Sequence, residues 1–120
     1  MMGKLRKRSQ FLKVAAARRS WAAPGLVVQA RRTDPGELDG NGDFRIGFTA
    51  TRRLGGAVQR NRAKRRLREV ARKVMPDCAA PCHDYVIIGR AATERRAFDH
   101  LERDLKTALA RLRVTRMSCP

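Results

Sequence analysis

Residues 52–73, RRLGGAVQRNRAKRRLREVARK, hold Glu69 as their single acid among closely spaced arginines and lysines. Ala63, Leu67, Val70, Ala71 and Val74 recur there at steps of three and four, which places them along one side of a helix that a core can accept. The same winding sends Asn61, Arg65, Arg68 and Arg72 outward, with Arg62, Lys64, Arg66 and Lys73 on the flanks. Like charges at these spacings repel by about 0.2–0.5 kcal/mol per pair. A polyanion lying on the helix removes that penalty. Solubility alone is better served by mixed signs, so the shortage of interleaved acid argues against a face that merely meets water.

The rest of the chain has the same bias. Lys and Arg number 28 against 11 Asp and Glu in 120 residues, a formal net charge of +17. This field draws phosphate backbones and raises encounter rates. The length suits one domain with a modest core, here residues 1–120 with an ordered core of about 5–113. No stretch approaches the roughly 18 continuous apolar residues of a membrane span, so a soluble protein with no membrane partner is expected. The Arg-rich start, residues 1–19, superficially resembles an organelle transit peptide. It lacks the apolar core and cleavage pattern of a secretory signal and is read as part of the fold.

Cys78, Cys82 and Cys119 are odd in number and irregular in spacing. That is no disulfide framework, and small buried or loop thiols in a reducing compartment are expected. Cys78, Cys82 and His83 fall short of a zinc site, which wants four ligands, generally as two close pairs.

Residues 5–19 support a short helix with Leu5, Phe11, Leu12 and residues 14–17 as its apolar content. Phe11, a lone aromatic among cations, either plugs the core or offers a stacking face to an unpaired base. Pro24-Gly25 breaks the pattern, and residues 26–30 read as a strand. Residues 31–42, with Pro35, Gly36, Gly40, Asn41 and Gly42, form a loop. Phe44, Ile46, Phe48 and Ala50 alternate with Arg45, Gly47, Thr49 and Thr51, the period of a strand with one buried face. Gly55-Gly56 turns the chain into the basic helix but lacks the Walker spacing of a phosphate loop. Pro76 is expected to end that helix. Residues 85–88 form a β-branched run suited to a central strand. Thr93 is the expected N-cap of a last helix whose Phe98, Leu101, Leu105, Ala108, Leu109 and Leu112 keep helical spacing. The tail after Arg113 is expected to fray. The class is α+β, a small mixed sheet with helices packed on it in the order α-β-β-α-β-α.

No nucleophile with its base, convergent carboxylate pair or metal cage is apparent. Asp43, Glu69, Asp84, Asp99, Glu102 and Asp104 are dispersed, and Glu102 and Lys106 suit a helix-surface pair. His83 and His100 have no partner that argues for general-base work. No catalytic and no metal-binding residue is assigned, and binding to nucleic acid is the function these residues support.

Arg60-Asn61-Arg62, followed by Lys64, Arg65 and Arg68, resembles the signature helix of the protein subunit of bacterial ribonuclease P. Residues 5–11, Arg45-Ile46-Gly47-Phe48-Thr49, Arg52-Arg53-Leu54-Gly55 and residues 84–90 resemble its opening, second strand, turn and third strand, so the likeness spans about residues 5–113. It implies a ribosomal protein S5 domain 2-like fold with a left-handed βαβ crossover, against the usual hand. It also implies a cytoplasmic protein that pairs with a catalytic RNA to remove the 5′ leader of precursor tRNA. The RNA and its magnesium ions would do the cutting, and the protein alone would bind no cofactor. Arg60, Asn61, Arg62, Lys64, Arg65 and Arg68 would dock on the catalytic RNA. Phe11, Thr49, Thr51, Arg52 and Arg53 would line a cleft for the single-stranded leader. Ala15 stands where many members carry a second aromatic, and Gln29 where a tyrosine is common, so leader binding should lean on charge more than on stacking. Two other classes fit the composition. One is a basic ribosomal RNA-binding protein; the other is a helix-turn-helix DNA binder, which would need a helix just before Gly55. The resemblance argues for the first reading and against DNA as a partner.

Overall fold

The computed structural model describes residues 2–38, 43–117 and 119. Alternation in the middle of the chain becomes β4, Phe44–Thr49, and the apolar run after the basic helix becomes β5, His83–Gly89. The two lie side by side and parallel, with Ile46 opposite Tyr85 and Phe48 opposite Ile87. A parallel pair needs a crossover connection, and the basic helix α2, Ala57–Cys78, supplies it. On the far side of β5 runs β3, Leu26–Arg32, antiparallel to it.

Two short strands that the sequence left undetected complete the sheet at its edges. β1, Met2–Lys4, runs parallel to β4, and β2, Ser20–Ala22, antiparallel to β3, giving the order β1-β4-β5-β3-β2. Three-residue strands carry too few alternations to be read from periodicity. The remaining helices are α1, Arg8–Ala16, shorter than expected, and α3, Phe98–Arg111.

The main core lies between one sheet face and the helices α2 and α3. Leu26, Val28, Phe44, Tyr85 and Ile87 meet Leu67, Val70, Ala71, Val74 and Met75 of α2 and Leu101, Leu105 and Leu109 of α3. The other face is covered by α1, through Leu5, Val14, Val86, Phe11 and Ile88. The polar face expected on β4 is therefore not open: Arg45 and Gly47 are buried beneath this second layer.

Several expectations at element ends are corrected. α2 begins at Ala57 with Gly56 as its N-cap, six residues before the first of its periodic apolar positions, and it runs through Pro76. Pro76 sits in the last turn, exposed, so the ladder bond it removes leaves a carbonyl at Arg72 on the solvent side. Thr93 caps no helix, because α3 starts after Ala97. It is fully buried, accepting a bond from the Arg90 N–H (2.8 Å) and donating its own to the Gly25 carbonyl (2.6 Å). The Gly25 N–H in turn donates to Asp104 (2.9 Å), which also pairs with Arg96 at 2.6 Å. Glu102 pairs across to Lys73 of α2 at 2.9 Å instead of with Lys106, because α2 and α3 lie against each other.

Residues 114–116 of the tail are stitched down. Ala80 N–H donates to the Val114 carbonyl (2.8 Å), Arg116 N–H to Cys78 (2.7 Å), and Ala79 bridges Thr115. Cys78 and Cys119 are joined by a disulfide and Cys82 is free and exposed, contrary to three separate thiols. The pairing spans 41 positions, and only the return of the tail to the end of α2 brings the two together. Gly40, Asn41 and Gly42 of the expected loop lie outside the described residues. The helix required by a helix-turn-helix is absent where it was needed: β4 and a single 3-10 turn, Arg52–Leu54, precede Gly55.

Candidate nucleic-acid interface

Two surfaces carry the candidate residues. The first is the outer face of α2, which the apolar stripe from Ala63 to Val74 turns away from the core. Arg60, Asn61, Arg62, Lys64, Arg65 and Arg68 all lie on this helix, but they are not equivalent. Arg62 ion-pairs with Glu94 at 3.3 Å, and the flanking Arg66 donates to the Glu94 carbonyl at 2.5 Å, so both are drawn toward the turn before α3. Lys64 is half-buried. Arg60 buries its Nε without a hydrogen-bond partner. Arg65, Arg68 and Arg72 are exposed, and no carboxylate pairs with them among the described residues. Arg68 lies over the ring of Phe48, its Cζ 5.9 Å from the centroid. These three form the part of the helix most available to phosphate.

The second surface is the sheet face under α1. The strand registers lay its residues in three rows: Val27, Ile88 and Thr49; Gln29, Val86 and Gly47; Arg31, Asp84 and Arg45. The third row is closed by ions. Arg45 makes a two-pronged contact with Asp84, both bonds 2.8 Å, while Arg31 reaches Asp84 at 3.3 Å and Glu37 at 3.0 Å. Glu37 also faces Lys13 of α1 at 3.8 Å. A hydrogen bond from the Asp34 N–H, followed by contact with the Arg31 guanidinium, holds the Glu37 carboxyl below its ordinary value. Arg45 is thus committed to the fold.

The first row lies at the opposite end and is only half-buried. Phe11 stands over the middle row, its ring on Gly47 and its remaining edge half-exposed. It packs against the small core and leaves part of its ring exposed. Ala15, one turn on, is exposed and adds no ring.

Thr49 ends β4 and points into the same chain segment as Thr51, Arg52 and Arg53, all three exposed. The 3-10 turn of Arg52–Leu54 and Gly55, at φ +115°, then hand the chain to α2. A side chain at that φ is strained, which explains the glycine. The short path from Thr49 to Arg60 therefore connects the open end of the cleft to the cationic helix. Sequence reasoning missed Val27 and Ile88 as cleft residues, because runs such as residues 26–28 and 85–88 are apolar on both faces and do not say which side each residue takes.

Comparisons with known proteins bear on the family and the fold. The family described as Ribonuclease P matches residues 2–113. A ribonuclease P protein component of Ruegeria pomeroyi is 55% identical over 109 residues, covering 90% of this chain and 84% of that protein. One of Paramagnetospirillum magneticum is 46% identical over 111 residues, covering 92% and 83%. Among solved structures, the RNase P protein of Thermotoga maritima superposes with a TM-score of 0.69 at 28% identity, covering 87% of this chain and 92% of that one. That of Staphylococcus aureus, at 22% identity and a TM-score of 0.71, shares the fold over 94% of this chain and 97% of its own. With its fold, its basic helix and its relatives in agreement over nearly the whole length, the chain belongs to the ribonuclease P protein family.

Proposed function

We propose that this protein is the subunit that equips a catalytic RNA to remove the 5′ leader from precursor tRNA, in the cytoplasm. Its family supports the partnership with ribonuclease P RNA. The observation that carries the finer reading is the short chain path from Thr49, at the half-open end of the cleft beside Phe11, through the exposed Thr51, Arg52 and Arg53 to Arg60 on α2. Arg60, Asn61, Arg62, Lys64, Arg65 and Arg68 dock on the RNA. Phe11, Thr49, Thr51, Arg52 and Arg53 hold the leader, with few stacking faces and no base-edge code, as a strand of varying sequence requires.

Cleavage in this reading is the RNA's, with magnesium held mainly there. Among the described residues, no three Asp, Glu, His or Cys side chains gather as a metal site, and the carboxylates of the cleft are occupied by Arg31 and Arg45. The protein's contribution is positional and electrostatic: it screens RNA–RNA repulsion and fixes the leader relative to the docked helix.

Adding the purified protein to ribonuclease P RNA and a leader-bearing tRNA at low magnesium tests this. Accelerated cleavage is expected; no gain would favour the ribosomal RNA-binding alternative. Protein free of RNA should cut nothing.

A further inference from the structure

On the α2 side of the sheet, where edge strand β1 meets β4, lies a cavity of about 520 Å³ that shares Arg68 and Arg72 with the outer face of α2 and adds to them residues of β1 and β4 not yet given a role. Its floor is apolar, built from Met2, Ile46 and Phe48, and its rim is cationic, built from Lys4, Arg68 and Arg72, with no carboxylate in the lining. A volume of this size is in the range of small-molecule sites, roughly 300–1,000 Å³. Phe48 is half-buried, so part of its ring is reachable. Because β1 is the edge of the sheet, one row of its main-chain donors and acceptors lies outside the ladder.

Apolar floor, aromatic ring, planar guanidinium, free main-chain groups and a cationic rim are together the requirements of a nucleotide: a base to stack, an edge to satisfy, phosphates to neutralise. We infer that this cavity receives the base of one unpaired nucleotide of the catalytic RNA, seated against Phe48 between Arg68 and β1, with its flanking phosphates on Lys4 and Arg72. Charge selects the occupant, since three cations without an acid repel a basic or apolar peptide. Position selects the RNA over the leader, because Arg68 and Arg72 of α2 rim the cavity and its floor of Met2, Ile46 and Phe48 belongs to the core on the α2 side of the sheet, not to the cluster under α1. Bound in this way, the nucleotide pins α2 along its axis, which a sliding strip of phosphate contacts cannot do. The inference rests on the reading of α2 as the RNA-docking helix.

Phe48→Leu keeps an apolar floor and removes the ring. Its affinity for ribonuclease P RNA, measured without tRNA, should fall roughly ten-fold or more, while the dependence of binding on salt keeps its slope, since no phosphate contact is lost. Unchanged affinity, or a loss seen only with leader-bearing tRNA, overturns the assignment. A second arm uses the wild-type protein and needs no RNA. Adenosine 5′-monophosphate should shift the NMR signals of the Met2 and Ile46 methyl groups saturably, and ribose 5-phosphate should not. Equal shifts from both would reduce the site to an anion contact and overturn the inference. Failure of the wild-type protein to bind the RNA at all would instead overturn the reading of α2.

Discussion

Phe11 rests on Gly47 so closely that a Cβ at position 47 would stand 2.5 Å from its Cε1 and Cζ atoms. The glycine on β4 is what lets α1 settle onto the sheet with an aromatic ring at the mouth of the cleft. Gly47→Ala should therefore push Phe11 and α1 outward, at about 1–3 kcal/mol of stability. Phe11→Ala should weaken leader binding by about 1–3 kcal/mol through loss of a stacking face. Thermal melts and leader titrations of both variants separate the roles: a collapse in melting temperature for Phe11→Ala with leader affinity intact would make the ring core alone.

Charge on α2 should be read out by salt. Alanine at Arg65 or Arg68, both exposed and without a carboxylate partner among the described residues, should lower affinity for the catalytic RNA. Each lost phosphate contact should also flatten the log–log salt dependence by about 0.7–0.9. If the slope of the double variant equals that of the wild type, this face touches no phosphate.

The ionic row beneath α1 should respond in the opposite manner, through stability. Asp84 is buried and holds both Arg45 and Arg31. Asp84→Asn leaves the buried Arg45 with only the more distant Glu37, 3.7 Å away, and should cost about 3–5 kcal/mol. Denaturant unfolding checks this, and a change below about 1 kcal/mol would mean that Arg45 escapes to water.

Acid should destabilise the fold in two steps. His83 has its pKa lowered, chiefly by burial, so protons bind the unfolded chain first as pH falls through the ordinary histidine value near 6.5. Glu37 is held below its ordinary value of 4.5 by the Asp34 N–H and Arg31, so its contribution is present above that pH and is lost as pH falls through its lower folded value. Melting temperatures from pH 8 to 3 should decline across both windows. His83→Gln should remove the first decline and Glu37→Gln the second.

Much of this was legible because the chemistry is local. The apolar stripe of Ala63, Leu67, Val70, Ala71 and Val74 fixed the inward face of α2, and Leu101, Leu105 and Leu109 did the same for α3, since helical periodicity depends on near neighbours alone. Element ends were less legible. Thr93 looked like a cap because an N-cap preference is a tendency of residue type, yet its hydroxyl found a better acceptor in Gly25, 68 positions away. Pro76 looked like a terminus, and its place in an exposed final turn made it tolerable.

By itself, then, the sequence determined a cationic helix backed by an apolar seam, an α+β class, and a resemblance carried by short motifs spread over about residues 5–113. Each of these depends on contacts a few positions apart or on composition summed along the chain. Only the tertiary structure decided that Arg45 is spent on Asp84 while Arg65, Arg68 and Arg72 remain available, that Phe11 shares itself between core and cleft, and that Cys78 meets Cys119. A charge becomes a binding group or a structural one according to which distant carboxylate packing delivers to it, and that delivery is set by strand register and helix placement, which no single stretch of residues encodes.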